Sequence, residues 1–110
     1  MQIASRKLFF TGSPAAPFDI RIFAPESEPG GSWSCRYEID WPDRPRSMTA
    51  WGKDSMQALV IALNMIGSEI YTSEYHKAGE LYFEKRGDGY GFPVPANLRD
   101  LLEGADAEYF

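Results

Sequence analysis

The chain is poor in reactive side chains. It has one cysteine, Cys35, and one histidine, His76, in 110 residues. A lone thiol forms no internal disulfide, and small exported domains commonly depend on several, so a reducing compartment, the cytoplasm, is expected. A lone imidazole with no other ligand at zinc-type spacing predicts no metal site. The longest apolar run, Ala58 to Leu63, is far short of the ~20 residues that a membrane-spanning helix needs. The start, Met1-Gln2-Ile3-Ala4-Ser5-Arg6-Lys7, is not followed by the apolar stretch of roughly 7–15 residues that an export signal carries, so none is expected. Positive charge is also short. The net charge of −5 opposes sequence-independent binding to phosphate backbones, which depends on cationic neutralisation, and argues against a nucleic-acid partner.

Aromatic residues are plentiful, with three Trp, six Tyr and seven Phe, a composition that favours a packed core over disorder. A chain of this length reads as one domain, 1–110, burying roughly 65% of its unfolded surface without staples. The acidic tail, 105–110, is expected to fray.

Alternation marks the strands. Leu8, Phe9 and Phe10 form a short run ended by Thr11-Gly12-Ser13-Pro14. From Pro17 to Ala24, Phe18, Ile20 and Ile22 alternate with Asp19 and Arg21. The clearest case runs from Trp33 to Trp41, where Trp33, Cys35, Tyr37, Ile39 and Trp41 alternate with Ser34, Arg36, Glu38 and Asp40. That is the pattern of an antiparallel strand with one face on the core and one in water. Pro42-Asp43-Arg44-Pro45 turns the chain, and Arg46 to Trp51 returns beside it. The breaker-rich stretch Pro25 to Gly31 reads as a loop.

A helix begins at Asp54. With Asp54 as N-cap, Gln57 occupies the third helical position, a variant of the capping box. Leu59, Ala62, Leu63, Ile66 and Ile70 share one arc at ~100° per residue. Ile61 and Met65 widen that arc beyond what one sheet face covers. Gly67 weakens the helix by about 1 kcal/mol relative to alanine, which points to close backbone packing there. Beyond a fading end near Thr72 to Lys77, Glu80 to Lys85 alternates again. Asp88-Gly89 signals a tight turn, and Tyr90 to Val94 is expected to return as an edge strand. Asn97 caps a final short helix from Leu98 to Glu103. The fold class is therefore α+β: an antiparallel sheet of about five to six strands, in the order ββββ-α-ββ-α, packed on one long helix, with a short C-terminal helix.

No segment specifies a cofactor or a catalytic set. Gly52-Lys53-Asp54-Ser55 lacks the upstream glycine of a phosphate loop, and Asp54 puts negative charge at the helix end that would hold an anion. Gly87-Asp88-Gly89-Tyr90-Gly91 does not lead from a strand into a helix, as a dinucleotide loop must. Cys35 falls on the core face of its strand, where burial makes a thiol inert. A pocket between helix and sheet near Cys35 is the reading that would make the chain a small-ligand binder or enzyme. His76 lies near a helix C-terminus, where its charge suits the last carbonyls.

The segment Trp51-Gly52-Lys53-Asp54-Ser55-Met56-Gln57-Ala58-Leu59, with Gly91-Phe92-Pro93 near the end, resembles a family of small uncharacterised bacterial domains. The resemblance covers roughly Trp33 to Pro95 and is specific to the helix start. It implies a bacterial cytoplasmic protein and carries over no catalytic residue.

Small size, acidic balance and aromatic richness point to a non-enzymatic protein-binding domain of the immunity or inhibitor kind, with another protein, such as a basic toxin, as partner. Negative charge would speed association with such a target. The candidate contact residues are Glu26 and Glu28 in the loop, Arg36, Glu38 and Asp40 on the polar strand face, and Asp100, Glu103, Asp106 and Glu108 in the tail. The other partner considered is a second copy of the chain, with Ile61 and Met65 as the self-association surface.

Overall fold

The computed structural model describes all residues, Met1–Phe110. Its strands are β1 (Gln2–Phe10), β2 (Ser13–Phe23), β3 (Glu26–Ser27), β4 (Trp33–Ile39), β5 (Arg46–Gly52) and β6 (Leu81–Tyr82). Its helices are α1 (Ser55–Tyr71), α2 (Glu74–Lys77) and α3 (Gly104–Tyr109), with a 3-10 turn over Ala96–Leu101. The fold is α+β, as the alternation predicts: a six-stranded sheet ordered β3-β4-β2-β1-β6, with β5 on β4. No helix is long and apolar enough to cross a membrane.

The chain packs as two compact units, Met1–Arg6 with Phe18–Ala62, and Lys7–Pro17 with Leu63–Phe110. Strands β1 and β2 and helix α1 run from one into the other. In the first unit the period-two residues form the core. Phe18, Ile20 and Ile22 of β2, Cys35, Tyr37 and Ile39 of β4, and Ala50 of β5 are buried with Ala58 and Ala62 of α1. β4 pairs antiparallel with β5 over seven residues and with β2 over three, Ile20↔Ile39 to Ile22↔Tyr37. The small helix residues allow close approach: a Cβ on Gly52 would strike the backbone of Ala58.

The helix start forms as its sequence predicts. Asp54 Oδ1 accepts from the Gln57 N–H at 2.7 Å, satisfying one otherwise orphaned helix donor, and Gln57 Oε1 reaches back to accept from the Lys53 N–H just before the cap at 2.6 Å. Ser73 then caps α2 by accepting from the His76 N–H. Gly79, at φ +70°, ends that helix in the left-handed region.

The second unit departs from expectation. β6 is only Leu81–Tyr82, paired with Phe10 and Phe9 of β1, and the Tyr90 to Val94 segment is not a strand. The Asp88-Gly89 turn does not close a hairpin, because its groups bond to α3. Ala105 N–H donates to both the carbonyl and the side chain of Asp88. The N–H groups of Tyr90 and Gly91 donate to the Asp106 carboxylate instead of a ladder. The expected helix from Leu98 to Glu103 is a 3-10 turn with no side-chain cap from Asn97. The tail, expected to fray, is helix α3.

Candidate functional site

The outer face of the sheet in the first unit carries the residues that alternate with the core. The register aligns Arg21 with Glu38 and Glu38 with Ser47, Arg36 with Thr49, and Ser34 with Trp51, so these side chains share one face. Arg21 organises its centre. Its guanidinium donates two hydrogen bonds to Asp40, at 2.7 and 2.8 Å, and one to Glu38 at 3.1 Å. These bonds hold the Asp40 and Glu38 carboxyls below their usual range and push Arg21 further up. Arg36 donates to the other Glu38 oxygen at 2.5 Å and lies 3.8 Å over the Phe23 ring, a cation–π contact.

Beside this network is a groove of about 270 Å³ lined by Phe23, Glu26, Glu28, Ser34, Arg36 and Trp51, among others. Ser34 O–H donates to Glu28 Oε1 at 2.7 Å, which fixes one carboxylate of the wall. The Trp51 indole is 55% exposed. An indole, a stacked guanidinium and two carboxylates around one depression can bury apolar surface and pair with cationic groups.

A second polar cluster lies in the other unit. The Asp106 carboxylate, 2% exposed, accepts from Tyr71 O–H at 2.6 Å, Tyr90 N–H at 2.7 Å and Gly91 N–H at 2.8 Å. His76 joins it through the Tyr90 hydroxyl, 2.5 Å from Nδ1, and reaches Glu103 at 3.3 Å with Nε2. Burial is the main cause that pushes both Tyr71 and Tyr90 phenols well above their ordinary value, with nearby carboxylates adding to it. Gly89, at φ +83°, leaves room for the carboxylate, since a Cβ there would overlap it. This cluster fastens α3 to the glycine-rich segment.

The sequence-derived candidates therefore separate. Glu26, Glu28 and Arg36 line the groove, and Glu38 and Asp40 belong to the Arg21 network next to it. Asp100 and Glu108 are exposed, and Glu103 pairs with His76. Asp106 is a correction: it is buried, because three donors from Tyr71, Tyr90 and Gly91 compensate its desolvation, and it presents no contact surface. Ile61 and Met65 are half-buried, whereas Met56 and Val60 are the exposed apolar residues of α1. Phe23 is the groove residue the sequence reading passed over. Period two already put it on the polar face with Asp19 and Arg21.

Cys35 is fully buried, its thiol donating to the Phe23 carbonyl at 3.3 Å. Burial raises its pKa, which disfavours the thiolate. No group of three His, Cys, Asp or Glu side chains is placed to hold a metal ion.

The fold is α+β, and the groove lies on the outer sheet face of the first unit. The chain belongs to the family described as Domain of unknown function (DUF6968), which matches residues 4–94. That span holds every groove residue named above and ends before Glu103 and Asp106. No curated protein and no solved structure matches the chain.

Proposed function

We propose that this chain is a non-enzymatic protein-binding domain, and that the groove beside Trp51 is its contact surface. The observation that carries the reading is the half-exposed indole of Trp51 lining one groove with Arg36, which is itself stacked on Phe23. Tryptophan and arginine dominate the energetics of protein contacts because they bury large surface while keeping a polar handle. Glu26 and Glu28 beside them, in a chain of net charge −5, favour a basic partner and fast, salt-sensitive association. A bacterial cytoplasmic protein of the immunity or inhibitor kind, acting on a basic toxin, fits this chemistry. The buried thiol of Cys35, with its raised pKa, does not favour covalent catalysis.

The test is affinity capture from the native host with the intact chain and with Trp51→Ala. A partner held by the wild type is expected to be lost by the variant, at a cost of about 2 kcal/mol or roughly thirtyfold in Kd. Raising the salt concentration should weaken the same partner. Capture that is equal for both chains overturns the assignment.

A further inference from the structure

The Asp106 carboxylate sits in a site built by residues far from it in the chain. Its Oδ2 accepts from Tyr71 O–H at 2.6 Å and from Tyr90 N–H at 2.7 Å, and its Oδ1 accepts from Gly91 N–H at 2.8 Å. Two successive backbone N–H groups turned onto one anion are the arrangement of an anion-binding nest. Glycines on either side of Tyr90 shape it. Gly89 and Gly91 have φ of +83° and +77°, and a Cβ on Gly89 would come within 2.4 Å of the Asp106 carboxyl carbon. Two oxygens that share three donors match a carboxylate, and its charge strengthens each bond.

The segment that fills this nest is held by little else. Asp106 is the one buried residue of α3. Ala107, Glu108, Tyr109 and Phe110 are exposed, and no residue of α3 belongs to the apolar core. The remaining ties are polar: Ala105 N–H on Asp88, and Glu103 on His76 at 3.3 Å. A segment with few buried apolar contacts opens locally at low cost, without global unfolding. The three donors also lie inside the family span of residues 4–94, whereas the carboxylate they hold lies outside it.

We propose that Tyr71, Tyr90 and Gly91 form a carboxylate-binding site, and that α3 is a displaceable plug that keeps it filled with Asp106. The ligand is an acidic side chain carried on a peptide, presented as α3 presents its own. Local opening of α3 frees all three donors. An incoming carboxylate satisfies them again, which offsets the cost of leaving buried donors unpaired. Occupation by the chain's own tail lowers the apparent affinity for such a peptide in proportion to the fraction of chains that are open. The nest belongs to the second unit and shares no residue with the groove beside Trp51, so it stands whether or not the groove has a partner.

The full chain carrying Asp106→Ala tests this. Sodium acetate should raise the Tm of the variant in a saturable way, beyond the effect of equal sodium chloride, and should not raise that of the wild type. A fluorescein-labelled peptide of the 102–110 sequence should bind the variant about tenfold or more tighter than the same peptide with alanine in place of Asp106. It should also bind the variant about tenfold or more tighter than it binds the wild type, whose own α3 competes. Should the variant fail to fold, hydrogen exchange of the wild type decides: the Tyr90 and Gly91 amides should exchange through a local opening that low urea barely changes. Exchange of both amides only with global unfolding overturns the assignment. So does equal peptide affinity for wild type and variant, or a variant that acetate does not stabilise. An acetate effect without peptide binding overturns the peptide as the ligand.

Discussion

Asp106 and Tyr71 share a hydrogen bond of 2.6 Å between groups that lie 35 residues apart, and both side chains are almost wholly buried. The bond ties the C-terminal helix α3 to the end of α1. The carboxylate also takes the N–H groups of Tyr90 and Gly91, so one side chain closes a segment with no regular ladder of its own.

Replacing Asp106 by alanine strands three donors. Each buried unsatisfied group costs about 1–3 kcal/mol; Tyr71 and Tyr90 are buried whereas Gly91 is exposed, so a loss of about 2 kcal/mol or more is expected in urea unfolding. Asp106→Asn keeps one acceptor oxygen and should cost less. Equal stability of wild type and Asp106→Ala would mean that the latch does not form.

Gly67 gives a prediction whose sign opposes the propensity rule. In an exposed helix, Gly→Ala stabilises by about 1 kcal/mol. Here a Cβ would overlap the Pro93 carbonyl oxygen and crowd Val94 Cγ1 at 3.2 Å. Gly67→Ala should therefore lower Tm, by an overpacking cost of about 1–3 kcal/mol less that gain. A raised Tm would show that residues 93–94 do not cross α1.

The Arg21 network makes stability depend on acid. Asp40 and Glu38 sit below their ordinary values chiefly through hydrogen bonds from Arg21. Their contribution is thus complete above the ordinary carboxylate range and is lost as pH falls through the lowered folded values. Both are 29–37% exposed, so solvent screening limits the effect to about 1 kcal/mol. Arg21→Met should be less stable than wild type at neutral pH, and the gap should close on acidification. A gap that persists in acid would assign the loss to packing.

The tyrosines work in the opposite direction. Burial raises Tyr71 and Tyr90 far above the ordinary phenol value of 10.0. A group with a raised folded pKa contributes stability that is complete below its unfolded value and is lost as pH rises past it. In a spectrophotometric titration these two phenols should ionise only as the chain unfolds, in one cooperative step. Smooth ionisation of all six tyrosines near their ordinary value would contradict the burial.

Cys35 should resist a thiol reagent under native conditions, since its sulfur is buried and its thiolate disfavoured. Labelling should follow the unfolding rate and should accelerate in urea. Prompt labelling in native buffer would reopen the pocket reading between helix and sheet.

The parts legible in the sequence are those set by neighbours in the chain. Side chains alternate along a strand, so Phe18, Ile20 and Ile22, and Cys35, Tyr37 and Ile39, announce both the strands and their core face. The Asp54–Gln57 cap spans three residues and needs nothing else, so the start of α1 is readable as well. Gly67 already signals a close approach, though not by what.

Only tertiary structure decided the rest, because the deciding partners are distant in sequence. Nothing in an acidic tail distinguishes Asp106 from Asp100 or Glu108. Its burial depends on donors at positions 71, 90 and 91 that meet only when α3 docks, and those donors are also what diverts Tyr90 to Val94 from a ladder. In the same way, the groove exists because Phe23, Arg36 and Trp51 come from three strands placed side by side.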